Sequence, residues 1–169
     1  MIATDPPLHQ GRNQAGRAAT DFASAPQWQR FDLWVLLAIL AWALGSDLLR
    51  LWLSGSVGVD DAEIILMGDS LRLGYHPERP PLFNWMAVLA GQVFGLTLAT
   101  ELAVKYLLLT LAGWHYYAAG RHLLRSPASA GAATLGLLLF FHFGYALHLG
   151  YTHTVTLLWV MAASLHLLV

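Results

Sequence analysis

Apolar and polar positions in this chain fall into long blocks. Residues 1–30 are rich in Gln, Ala, Pro, Asn and Arg and show no apolar period, which predicts a disordered tail. Residues 31–53 form a continuous apolar block of 23 residues, enough to cross about 30 Å of hydrocarbon at about 1.5 Å per residue. Near its far end Asp47 and Arg50 stand three apart on one face, where they can pair or reach the interface. Gly55 and Gly58 then signal a turn, and a helical pattern is predicted over residues 60–73. There Ile64, Met67 and Leu71 share one face and Asp69 and Arg72 another, as in a helix lying flat in a membrane interface. Gly74 ends that pattern, and Pro80 and Pro81 forbid helix immediately before them.

Residues 82–98 form an apolar block of 17 residues, interrupted by Asn84, Gly91, Gln92 and Gly95, at the lower limit for a span. Gly91 and Gly95 make a GxxxG pair of the kind that lets helices approach closely. Further spans are predicted at about residues 101–124, 128–149 and 152–169. The positive-inside bias places the 1–30 tail, with Arg12, Arg17 and Arg30, in the cytoplasm, together with the cluster Arg121, His122 and Arg125. Residues 101–124 then run inward, the 54–80 loop is extracytoplasmic, and residues 82–98 are an interfacial or re-entrant helix. A full crossing by 82–98 is the alternative, and it puts Arg121 and Arg125 on the opposite side. The tail is expected to remain attached, since a secretory signal would place its apolar region within roughly the first 15–30 residues. The last apolar run stops without interfacial aromatics or basic residues, so the sequence is expected to be the amino-terminal part of a longer protein.

Composition turns these blocks into a class. Hydrophobic residues make up 57% and charged residues 11%, with a mean hydropathy of +0.53. Soluble domains carry roughly 25% charged residues, so the chain reads as an all-α integral membrane protein. After Arg125 no Asp, Glu, Lys or Arg occurs in the remaining 44 residues, which fits lipid-embedded helices. A net charge of −1 leaves no basic face for nucleic acid. The absence of cysteine excludes disulfides and thiolate metal sites.

The chemistry is concentrated in residues 59–85. Five of the ten acidic residues, Asp60, Asp61, Glu63, Asp69 and Glu78, fall there. Such a loop is too polar for hydrocarbon and must lie at the water interface. Asp60 with Glu63 has capping-box spacing, so one reading of Asp60 is a helix N-cap. The other is a functional carboxylate, because three acids within four residues repel one another unless a cation or basic group offsets them. Glu78 and Arg79, held by the prolines just outside the membrane, are either solvated loop charges or part of a site with Asp60.

His142, Tyr145, His148 and Thr152 recur at steps of three and four, and His115 and His122 are seven apart. Each set predicts a polar stripe facing the bundle interior, for interhelical hydrogen bonds or, less commonly, metal ligation. His153 is predicted at the outer end of its helix, on the side of Asp60 and Arg79, as a base, ligand or phosphate contact.

In order and spacing, these features resemble the amino-terminal region of the GT-C glycosyltransferases, in particular the branch of protein O-mannosyltransferases and the lipid A aminoarabinose transferase. The resemblance covers most of the chain from Phe31 onward. It rests on Asp60-Asp61-Ala62, Arg79-Pro80-Pro81-Leu82, Trp85, Phe94-Gly95 and Arg121-His122-Leu123-Leu124. It implies a GT-C-like helical bundle whose first extracytoplasmic loop contains an amphipathic helix. The activity implied is transfer of a sugar from a polyprenyl-phosphate carrier to a lipid, glycan or protein acceptor on the extracytoplasmic face of the inner membrane. The resemblance makes Asp60 the base toward the acceptor and Arg79 the holder of the donor phosphate, with Asp61 and His153 as further substrate contacts. Glu78 would help to bind substrate and, with Asp60, position a divalent cation. His153 stands where many relatives carry a second Asp, and a histidine does not supply that negative charge.

The competing class is a small non-catalytic membrane subunit, or an inactive truncated relative, that binds a partner or carrier lipid. A transporter is a third class, but the charge-free last 44 residues offer it no coupling carboxylate.

Overall fold

The structure, a computed structural model, describes residues 27–53, 58–68, 70–75, 80–140 and 142–169. Every regular element among them is helical, and no strand occurs among the described residues. Helix α1, Gln27–Leu53, starts four residues before the expected apolar boundary. Extending a formed helix is far easier than nucleating one, so a few polar residues ahead of an apolar run join it readily. Of the remaining tail, residues 1–26 lie outside the described residues.

Helix α2 is Val59–Met67, shorter than the predicted 60–73. The stop falls at Gly68 and not Gly74, and packing is the reason. A Cβ on Gly68 would lie 2.5 Å from a methyl of Leu96 and 2.7 Å from the Ile64 carbonyl, so only glycine admits Leu96 there. Residues 70–75 follow as an irregular turn. The Tyr75 hydroxyl donates to the Ser70 carbonyl at 2.6 Å, and the Trp85 indole N–H donates to the Arg72 carbonyl at 2.7 Å.

Helix α3, Leu82–Phe94, is 13 residues long and ends at Gly95, whose φ is 85°. It covers about 20 Å, short of the roughly 30 Å hydrocarbon layer. Leu96 then folds back over Gly91, so the GxxxG face packs against its own chain and not against a distant helix. Helix α4, Leu98–Leu123, is N-capped by Thr97, whose hydroxyl accepts from the Thr100 N–H at 3.3 Å. Helix α5, Pro127–Gly136, starts with Ser126 as N-cap and Pro127 in its first turn, the position where proline's missing N–H costs nothing.

The expected single span 128–149 is broken. After α5 come a 3₁₀ turn Leu137–Leu139, extended backbone at Phe140, a π-helical turn His142–Ala146 and a last turn Leu147–Leu149. The change of helical period dissolves the predicted His142–Tyr145–His148 stripe: Tyr145 is exposed while His148 turns inward, and the His142 side chain lies outside the described residues. Helix α6, Thr152–Leu168, closes the bundle. Its packing against α4 is the most extensive in the molecule.

The main core joins Ala43 of α1, Ile64 of α2, Phe83 and Ala87 of α3, Leu102, Tyr106 and Leu109 of α4, and Val155 of α6. One helix among the described residues, Arg30–Leu53, is long and apolar enough to cross a membrane; Leu82–Phe94, Pro127–Leu139 and Thr152–Leu168 are apolar but shorter. Polar contacts gather at the two ends of the bundle. At one end Arg50, Asp60 and Asp61 meet the start of α4 and of α6. At the other, Asp32 accepts from the Tyr117 hydroxyl and pairs with Arg121 at 3.0 Å, while the Nδ1 atoms of His115 and His166 lie 3.0 Å apart, within hydrogen-bond distance. Helix α1 therefore runs from the Asp32 end to the Arg50 end, and α4 and α6 both run back the opposite way. The two ends of α3 lie against different elements of the first end: Pro80 against His153 at the start of α6, and Leu96 against Gly68 at the end of α2.

Candidate active site

Asp60 is the residue around which the first end is arranged. The N-cap of α2 is Gly58, with no side-chain cap bond, so the capping-box reading of Asp60 is not the one the fold uses. Its carboxylate instead reaches across 91 residues of sequence, where Oδ2 accepts the Tyr151 N–H at 2.7 Å. Tyr151 has a φ of 61°, the left-handed region that a non-glycine residue enters at a cost of about 1–2 kcal/mol. Such strain persists where surrounding contacts fix it and gathers at functional sites. The turn is also tight: a Cβ on Gly150 would lie 3.0 Å from Asp60 Oδ2. A carboxylate at this point faces the N-terminus of α6, where the unpaired N–H groups favour negative charge.

His153, in the first turn of α6, lies 3.1 Å through Nδ1 from the Pro80 carbonyl. A carbonyl only accepts, so Nδ1 carries the proton, and in the neutral ring Nε2 is the acceptor. Its ring meets Phe83 edge-on with centroids 6.4 Å apart. Asp60 and His153 are thus brought to the same 150–153 turn, and Pro80 fixes the start of α3 beside them. Arg79 and Glu78, with His76 and Asp69, lie outside the described residues.

Asp61 is placed differently from its expected role as a substrate contact. It is fully buried and its Oδ2 pairs with the Arg50 guanidinium. Arg50, whose spacing allowed it to pair with Asp47 or to reach the interface, spans the α1–α2 connection to Asp61. Next to this pair the start of α4 brings Glu101 and Lys105, both fully buried and within electrostatic reach of Asp61 and Arg50. This four-charge cluster was missed from sequence. The available signal was that Glu101 and Lys105, four apart inside an apolar run, share one helix face; nothing local says which face meets Asp61.

Two more polar contacts join the helices, one inside the bundle and one at its opposite end. The Tyr106 hydroxyl and His148 Nδ1 are 2.7 Å apart, with Trp42 edge-on against the imidazole at 5.4 Å. His115 and His122 both meet His166, the second by stacking at 5.9 Å. Among the described residues no group of three His, Asp or Glu side chains is arranged to hold a metal ion. Glu78, expected with Asp60 to position a cation, lies outside the described residues, and no step below runs through a metal. Nearer the middle of the bundle lies an apolar cavity of about 360 Å³, lined by Ile39, Trp42, Gly113, Leu138, Phe143 and Leu158 among others.

The arrangement defines a class: a helical, strongly apolar protein with one carboxylate presented at an end of the bundle and a buried charge cluster behind it. Two proteins of Rhizobium johnstonii are similar to this chain. They are the lipopolysaccharide core galacturonosyltransferases RgtA, 33% identical over 130 residues (77% of this chain and 26% of RgtA), and RgtB, 33% identical over 122 residues (72% and 24%). The chain spans about a quarter of the length of these curated relatives. No protein-family model matches it, and no solved structure does.

Proposed function

We propose that this chain forms part of a membrane glycosyltransferase of the GT-C type. It moves a sugar of the galacturonic acid class from a polyprenyl-phosphate donor to a glycan or lipid acceptor on the extracytoplasmic face. The similarity to the two galacturonosyltransferases supports the reaction class, the sugar and a lipopolysaccharide-type acceptor. The observation that carries the site is the meeting of Asp60 with the 150–153 turn, which holds a carboxylate and His153 at one end of the bundle.

In this reading Asp60 takes the proton of the acceptor hydroxyl as that oxygen attacks the anomeric carbon. The bond from that carbon to the carrier phosphate breaks with inversion, and the phosphate leaves with the electron pair. Arg79, which precedes Pro80 in sequence, meets the developing phosphate charge with a bidentate pair. Tyr151 N–H fixes one carboxylate oxygen of Asp60, so the group is oriented before substrate arrives. Helices α1, α4, the 128–149 segment and α6 cross the membrane, α3 returns to the face it starts from, and the α1 start lies on the cytoplasmic side.

The test uses the full-length protein in membranes. Asp60→Asn keeps an acceptor for the Tyr151 N–H but removes the base, and it lowers sugar transfer about 10²–10⁴-fold; Arg79→Ala lowers it comparably. Both variants insert normally. Wild-type transfer by both would sink the proposal. A second reading, a non-catalytic subunit that binds a carrier lipid, is favoured by the apolar cavity and takes over in that event.

A further inference from the structure

Behind Asp60 lies machinery that the transfer step does not use. Asp61, Glu101 and Lys105 are each 0% exposed, and Arg50 is nearly enclosed. Lys105 Nζ, both Glu101 oxygens and Asp61 Oδ1 have no hydrogen-bond partner among the described residues. Lys105 is the one lysine of the chain. Enclosed charges carry a heavy desolvation cost, and well-packed apolar residues of similar volume are often equally or more stabilising. Their value is therefore sought in what they hold in place.

What they hold is α2. This helix is nine residues long, and its apolar grip on the bundle centres on one fully buried side chain, Ile64. Asp60 and Asp61 project about 100° apart around its axis. The inward one is drawn to Arg50, and the other meets the Tyr151 N–H. Any rotation of α2 that relaxed Asp61 would carry Asp60 off the 150–153 turn. The Lys105 ammonium lies within electrostatic reach of both aspartates, on a helix anchored by its packing against α6.

We infer that Lys105 is a positioning residue for Asp60: a buried cation that, with Arg50, fixes the rotation of α2 and so the direction from which the carboxylate meets the 150–153 turn. The inference rests on Asp60 being the base proposed above. It is tested in the full-length enzyme with three variants. Lys105→Arg keeps the charge; Lys105→Met removes it; Lys105→Met with Glu101→Gln removes the charge together with its neighbour on α4, so that the remaining cluster keeps its net charge and the fold is spared.

The double variant is expected to reach wild-type levels of folded protein while its kcat falls at least tenfold, with donor KM within twofold. Lys105→Arg recovers kcat to within a few-fold. Wild-type kcat in the double variant overturns the inference. So does a loss of activity in both Met-containing variants that merely tracks their loss of folded protein. Asp60→Asn measured alongside separates the two claims: if it stays active, the transfer reading fails; if it is inactive while the double variant is active, only the positioning role falls.

Discussion

At the residue scale, the strongest constraints lie where one side chain serves two elements. Asp60 belongs to α2 yet fixes the turn before α6, and Gly150 leaves it just enough room. Gly150→Ala puts a methyl 3.0 Å from Oδ2, and the carboxylate has to give by a few tenths of an ångström. A misplacement of about 1 Å can cost 10²-fold in rate, so this variant is expected to lose about tenfold in turnover with its thermal midpoint nearly unchanged. An unchanged rate shows that the turn does not set the position of Asp60. Arg50 is the counterpart in stability. Arg50→Met leaves Asp61 enclosed and unpaired, which costs about 3–5 kcal/mol. Thermal unfolding in detergent checks this, and adding Asp61→Asn is expected to recover most of the loss.

At the element scale, the surprises come from breaks and not from helix content. Residues 60–73 carry a helical pattern, but Leu96 claims the space at Gly68 and the helix stops at Met67. Gly68→Ala is expected to lower stability by about 1–3 kcal/mol through overpacking. Leu96→Ala on the same background is expected to restore the part due to the Leu96 methyl and not the part due to the Ile64 carbonyl, and full additivity of the two changes in thermal melts would disprove the Leu96 contact. The 128–149 segment shows the same limit in another form. Its apolar composition marks a helix, whereas the 3₁₀ and π turns that rotate His148 toward Tyr106 come from the fit of side chains around it.

At the scale of the whole molecule, polar contacts gather at two ends and the surface between them is apolar. Trp34, Leu44, Leu48 and Trp52 of α1 are all exposed, a contiguous apolar face of the kind that marks a lipid or protein contact. The absence of cysteine makes the orientation directly measurable. Leu73→Cys, at a position 92% exposed in the turn that follows α2, is expected to react with a membrane-impermeant maleimide on intact cells. Leu123→Cys, at the opposite end, is expected to react only after permeabilisation. The reverse pattern would turn the proposed topology over.

Some of this was fixed by sequence alone. Few charges in long apolar blocks favour helices, each of which satisfies its backbone hydrogen bonds within its own segment. The position of α1, the helical start near residue 60 and the interruption at Pro80 and Pro81 follow from local propensity, as does the candidacy of Asp60 and His153. Only tertiary structure decided that Asp60 is not a cap but meets the N–H of Tyr151, that Asp61 turns inward to Arg50, and that Glu101 and Lys105 join them. Charges 40 or more residues apart, as Asp61 and Glu101 are, leave no periodic trace of one another. Which of two adjacent aspartates faces the interior depends on the rotation of a nine-residue helix, and that rotation is set by what packs behind it.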